Sequence, residues 1–137
     1  MHSAEHILNQ TMDRIYQCGR CFNAHIEQKK SKCDYHLAKA LTADEIKEVQ
    51  SGVNRIIQSD LPVGEQFISK SEAMSQFNTQ KLPDDVGNRI RIVSIGDYDH
   101  TPCIGPHVKS TAEIGQFIIS STAFQDGVLR IRYKLAN

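Results

Sequence analysis

Cys103 and His107 stand in HTPCIGPHV, residues 100–108, with Gly105 and Pro106 forming a stiff turn between them. A thiol and an imidazole at C-x-x-x-H spacing are two soft ligands, half of a tetrahedral metal site. The N-terminal HSAEH supplies a second pair. On a helix, His2 and His6 at i and i+4 project from one face about one turn apart. One sulfur and three imidazoles favour zinc over harder cations. Each pair also has a plainer reading, as solvated imidazoles or as a small buried thiol; the presence of both in one short chain favours a metal. A rival set, Cys18-x-x-Cys21 followed by Cys33-x-x-His36, superficially matches a zinc ribbon. If KCDYHLA is a strand, however, Cys33 and His36 are an odd number of positions apart and point to opposite faces. Sharing one ion would then need a bulge.

The elements that must position these residues follow from periodicity. Ile7, Leu8, Met12 and Ile15 recur at helical spacing from His2 to about Cys18, and Gly19 is a helix stop. FNAHIEQ and CDYHLAKAL, separated by the polar KKSK, predict a hairpin. Thr42 with Glu45 forms a capping-box sequence, and Ile46, Val49, Val53 and Ile56 or Ile57 share one face, so a second helix runs to about Ser59. LPVGEQFISK reads as a turn entering a strand, SEAMSQF as one or two helical turns, and NTQKLPDDVGN as an exposed loop. RIRIVSIG, IGQFIISS and VLRIRYKL are three further strands, rich in isoleucine or valine. There is no internal repeat. The expected fold is α+β, a largely antiparallel sheet with helices packed on one side.

The chain has 137 residues and is 39% hydrophobic, enough for a single domain, residues 1–137, with one core. Sixteen Lys+Arg balance sixteen Asp+Glu, so no global field steers it to a polyanion, and any nucleic-acid contact must use a local patch. DNA is not an implied partner. No apolar run approaches the length of a membrane span, and MHSAEHILNQ lacks the features of a signal peptide. A cytoplasmic location is expected, where four cysteines read as reduced thiols or ligands rather than disulfides. Nothing in the sequence sets an oligomeric state.

HxxxH in HSAEHILNQTM, the CDYH strand, TADEIKEVQSGVNRII followed by DLPV, RIRIVSIGDYDHTPCIGPHVKSTAEIGQF and GVLRIRY resemble, in this order, the editing domain of alanyl- and threonyl-tRNA synthetases. The likeness spans almost the whole chain. HxxxH paired with CxxxH and followed by T-x-E-I-G is its specific part. With no stretch long enough for an aminoacylation domain, the chain most resembles the short freestanding AlaX-type alanyl-tRNA editing proteins. The resemblance implies the synthetase second-additional-domain fold, and zinc held by His2, His6, Cys103 and His107. It further implies ATP-independent hydrolysis of mischarged aminoacyl-tRNA, most plausibly serine or glycine on alanine tRNA. Three departures stand out. CIGPH replaces the alanyl pattern C-G-G-T-H and is closer to the threonyl version. Thr101 stands where synthetase-embedded members usually carry an acidic residue. FNAHIEQ replaces a Gly-Ser element before the CDY strand.

An aminoacyl ester is already labile, so the demand on side chains is to position it, polarise its carbonyl and deliver one water. Zinc can polarise a carbonyl or lower the pKa of a bound water to about 7, whereas four protein ligands would close the ion. Either one ligand, for instance His107, is loose, or the ion organises a pocket where water is activated nearby. Asp34, Asp99, His100 and Thr101 are the candidate polar groups; the ordinary alternatives are an exposed strand carboxylate for Asp34 and a loop turn for Asp99 and His100. For tRNA, Arg130, Arg132 and Lys134 alternate with Ile131, Tyr133 and Leu135, giving a strand with one basic face. Arg89 and Arg91 repeat the device, and Lys109 adds a charge next to the site. A solvated sheet face explains the same pattern. The functions in view are a trans-editing deacylase, a non-catalytic zinc-containing tRNA-binding or regulatory module, and a small metallohydrolase acting on free amino-acid esters or amides.

Overall fold

The structure is a computed structural model that describes residues 2–77, 89–103 and 105–136. The loop expected over NTQKLPDDVGN lies outside the described residues. The chain begins with helix α1, His2–Tyr16, whose Ala4, Ile7, Leu8 and Met12 are fully buried. Ile15, expected on the same face, is 36% exposed. The helix stops short of Cys18: Gln17 and Gly19 take left-handed φ of 55° and 75°, and the Gly19 amide bonds the Asp13 side chain at 2.9 Å.

Strands β1 (Asn23–Ile26) and β2 (Lys30–His36) form the expected hairpin, shifted toward the N-terminus. KKSK is mostly inside β2 rather than the turn, because Ser31 turns inward and ties its hydroxyl to the Glu27 backbone. Helix α2, Ala43–Gln58, carries the full capping box of Thr42 and Glu45 and buries Val49, Val53 and Ile57. Strand β3 (Val63–Ser69), helix α3 (Lys70–Gln76) and strand β4 (Arg89–Ile95) follow. Asp99 and His100, for which a loop turn is the ordinary alternative, lie in strand β5 (Asp99–Pro102), and a short 3-10 helix covers Thr111–Ile114. Strands β6 (Gln116–Gln125) and β7 (Val128–Ala136) close the chain through a tight Asp126-Gly127 turn, both residues at positive φ.

The strands make two antiparallel sheets rather than one, in the orders β1-β2-β7-β6 and β3-β4-β5. Helices α1 and α2 share a core with the inner face of the larger sheet, including Cys33, Tyr35, Phe117, Leu129, Ile131 and Tyr133. Helix α3 packs separately on the smaller sheet through Ala73, Ile90 and Ile92. The α+β class holds. On the edge of β6 that pairs with no strand among the described residues, α2 supplies side-chain amides: Asn54 bonds both the amide and the carbonyl of Phe117, at 2.8 and 2.9 Å, and Gln50 accepts from the Ile119 amide. Thr111, fully buried, accepts from the Leu61 amide and donates toward the last carbonyls of α2. These ties fix the 3-10 helix, and hence the segment after His107, against α2.

Candidate metal centre and pocket

Helix α1 presents Ser3 and His6 on its buried side, and β5 leads through Cys103 to His107. One ligand atom each from His6, Cys103 and His107 lies within 4.8 Å of the others. His107 Nε2 is 3.3 Å from Cys103 Sγ, and the His6 and His107 rings meet edge to face with centroids 4.6 Å apart. The Ser3 hydroxyl lies 2.8 Å from His107 Nδ1 and accepts from the Val108 amide, so the ring is held with Nε2 toward the sulfur. The His107 ring thus has a hydrogen-bonded orientation. Arg91 clamps the connecting loop, donating to the carbonyls of Gly105 at 2.8 Å and Cys103 at 3.4 Å, while its Nε meets Glu65 at 2.6 Å. An arginine expected on the RNA side thus positions the CIGPH turn.

His2 stands beside this trio. Its ring centroid is 6.1 Å from that of His107, its Nδ1 is 3.7 Å from Glu5, and about a third of its side chain is exposed. Its ring rests on Gly105, where a Cβ would fall 2.8 Å from three ring atoms. Close approach, rather than backbone conformation, explains this glycine.

Burial lowers the His6 pKa to about 2, helped by His107, and lowers that of His107 to about 4, helped by Arg91. Both imidazoles are neutral near pH 7, the form that ligates metals. Burial pushes the Cys103 thiol up, against the Gly105 amide that donates to its sulfur; a divalent cation acts the other way and favours the thiolate. Among the described residues His6 Nδ1 has no partner within hydrogen-bond distance, and it faces the Asp99 carboxylate. Two neutral imidazoles gathered with a thiol fit a thiophilic divalent cation.

The polar candidates separate by strand parity. Asp99 and Thr101 are buried, whereas His100 is exposed on the opposite face with Nδ1 2.8 Å from Ser94 Oγ. Asp99 belongs to a strand and not to a loop turn. It is gripped by Arg20 through two bonds, 2.7 and 3.2 Å, and its Oδ2 is 3.6 Å from His6 Nδ1. Burial raises its pKa and the guanidinium opposes that. Asp34 is not an exposed carboxylate: it is buried and bonded by Arg130 and Asn23.

A cavity of about 700 Å³ opens beside the trio, lined among others by Glu5, Asn9, Arg20, Phe22 and Thr101. Asn9 holds its wall, its Oδ1 accepting from the Cys21 amide and the Tyr35 hydroxyl. Ser3, Asn9 and Arg20 escaped the sequence reading. Ser3 lies inside HSAEH and Arg20 inside CGRC, so proximity to candidate ligands was the available signal. The rival set does not assemble: Cys33 is buried and His36 exposed, as alternation requires, and Cys21 and Cys33 instead cluster with Glu5.

On the outer face of the larger sheet, Lys30 pairs with Lys134 and Lys32 with Arg132 across β2 and β7. Like charges directly opposite are destabilising, and the same row ends in the opposite-charge pair of Asp34 and Arg130. Lys109 is exposed, and Arg89 lies over the Phe67 ring at 5.1 Å. Among the described residues, no helix is long and apolar enough to cross a membrane.

Residues 90–132 match the family described as the threonyl and alanyl tRNA synthetase second additional domain. An alanine-tRNA ligase of Fervidobacterium nodosum is 33% identical over 132 residues, 95% of this chain and 15% of that protein. Those of Methanopyrus kandleri and Aeropyrum pernix are 30% and 32% identical over 140 residues, 96% of this chain and 15% of each ligase. The chain thus spans about 15% of the length of these relatives.

Proposed function

We propose that this chain, which belongs to the threonyl and alanyl tRNA synthetase second additional domain family, is an editing deacylase. Its reaction is hydrolysis of the ester of mischarged aminoacyl-tRNA in trans, with serine or glycine on alanine tRNA as substrate and zinc as the organising ion. The observation that carries this reading is the gathering of His6, Cys103 and His107 beside a cavity that His6 and Cys103 help to line and that has room for an aminoacylated terminal nucleoside. His6, Cys103 and His107 would hold the zinc, with His2 as the fourth and outermost ligand. When bound, the ion supplies Lewis-acid polarisation or a more acidic water.

The chain's own residues do the positioning. Ser3 orients the His107 imidazole, Asp99 faces His6 and is itself fixed by Arg20, and Arg91 holds the turn that carries Cys103. Thr101 offers a hydroxyl to the cavity wall in place of a carboxylate. A labile ester needs little more than orientation and an excluded, directed water. The cationic outer face, with Arg132 and Lys134 beside Lys30 and Lys32, supports contact with tRNA phosphates.

A second reading, a zinc-containing tRNA-binding module without turnover, is favoured by two observations: His100 is exposed on the strand face opposite Asp99 and Thr101, and Asp34 and Asp99 are both paired with arginines. The deciding experiment is hydrolysis of Ser-, Gly-, Ala- and Thr-charged tRNAs by the purified protein, with metal content measured on the same sample. Release of serine or glycine with about one zinc per chain, both lost in Cys103→Ala, is the expected result. Bound zinc without turnover of any substrate overturns the enzyme reading, and full zinc content in Cys103→Ala overturns the ligand assignment.

A further inference from the structure

Phe22 combines three properties that its packing does not require. It is 44% exposed, unlike the large apolar side chains of the core. It has defined partners: its amide donates to the Asp34 carbonyl at 3.0 Å, and its ring stacks on His36 with centroids 3.9 Å apart and planes at 12°. It also joins two surfaces. Among the described residues that line the cavity beside the metal-ligand trio, it is the only phenylalanine or tyrosine. Its partner His36 lies on the outer face of β2, in the same row as Lys30 and Lys32.

One ring face is backed by an imidazole, which leaves the opposite face as the one a ligand could use. A flat, preorganised π-face at the rim, between a cationic strip and a reaction chamber, is what an aromatic base needs. A polynucleotide that follows the basic face and delivers a 3′-terminal ester into the cavity must leave its last base at this rim. We propose that Phe22, backed by His36, is the stacking platform for the terminal adenine of the aminoacyl-tRNA acceptor end, an inference that rests on the tRNA reading of the pocket. Stacking is sequence-tolerant and depends on the exposed ring face. The contact holds the nucleoside while the ester remains free to reach the trio, so it acts on binding more than on the chemical step.

The chain has no tryptophan, so Phe22→Trp places a single reporter on the platform. Titration with the oligoribonucleotide ACCA is expected to quench it saturably. The same oligomer with an abasic 3′ terminus is expected to bind roughly tenfold more weakly, the ratio that loss of one stacked base gives. With charged tRNA, Phe22→Leu is expected to raise KM roughly tenfold with kcat little changed, and Phe22→Tyr to restore KM. Absence of saturable quenching, or equal quenching by the abasic oligomer, overturns the platform whatever the turnover of the parent protein. Selective quenching in a protein that hydrolyses no charged tRNA supports the platform and overturns the deacylase reading instead.

Discussion

Arg130 and Asp34 are bonded side by side across β7 and β2, Nε to Oδ1 at 2.8 Å and Nη2 to Oδ2 at 3.0 Å. The residue expected to bind phosphate and the residue expected to serve the reaction are each other's partners. The guanidinium hydrogen bonds hold the Asp34 pKa below its ordinary value. A depressed carboxylate adds stability that is complete above its unfolded pKa, near 4, and is lost as pH falls through the folded value. Asp34→Asn is therefore expected to lower the urea midpoint at pH 7, with the deficit shrinking toward pH 3. A deficit of the same size at both pH values would show that the carboxylate charge is not what Arg130 reads.

The Asp99–Arg20 pair carries a larger stake, because Asp99 is only 1% exposed. Arg20→Ala leaves a buried carboxylate without its two bonds, and such losses cost about 3–5 kcal/mol. Since 27% of the Arg20 side chain reaches solvent, the lower end, about 3 kcal/mol, is expected. Denaturant unfolding of the variant measures it; a loss under about 1 kcal/mol would place the pair among ordinary surface bridges.

What sequence made legible follows physical range. The capping box of Thr42 and Glu45, the helical stripe of Val49, Val53 and Ile57, and the i, i+4 placement of His2 and His6 are local, and all appear in the structure. Strand β5 was hidden because Asp99, His100 and Thr101 lack strand-like apolar alternation; what makes them a strand is hairpin pairing with Ile92–Ile95 of β4, which their own residue types do not announce. The split into two sheets is likewise a matter of partner choice. Cys33 and His36 were separable by parity alone, whereas the Asp34–Arg130 and Asp99–Arg20 pairs span 96 and 79 positions and leave no periodic trace.

Ser3 bonds His107 Nδ1, so with His107 as a ligand of the proposed ion Ser3 is a positioning residue for it. Removing such a partner weakens metal affinity roughly 10- to 100-fold. Ser3→Ala is expected to show that loss in competition with a chromophoric chelator while unfolding near the parent's midpoint. Unchanged affinity would mean that packing alone orients the ring.

Gly105 and His2 offer a test of the fourth ligand. A methyl at Gly105 would sit 2.8 Å from three His2 ring atoms, so Gly105→Ala must displace that imidazole. If His2 completes the site, Gly105→Ala and His2→Ala each weaken zinc binding, and the double variant is no weaker than His2→Ala alone, because the second change removes what the first disturbed. Additive losses in this cycle would instead assign the glycine to the Cys103 side of the turn, where its amide meets the sulfur at 3.3 Å.

The opposed cations of the outer sheet face give a prediction with two signs. Lys134 faces Lys30 and Arg132 faces Lys32, an arrangement that costs stability through repulsion and gains affinity for a polyanion. Arg132→Gln with Lys134→Gln is expected to raise the unfolding midpoint slightly while weakening tRNA binding. It is also expected to reduce the slope of log affinity against log salt by about 2, near 1 for each phosphate no longer neutralised. Binding with an unchanged salt slope would remove this face from the tRNA path. A fall in stability together with the fall in affinity would mean that the residues act through the fold, since relief of like-charge pairs can only move stability upward.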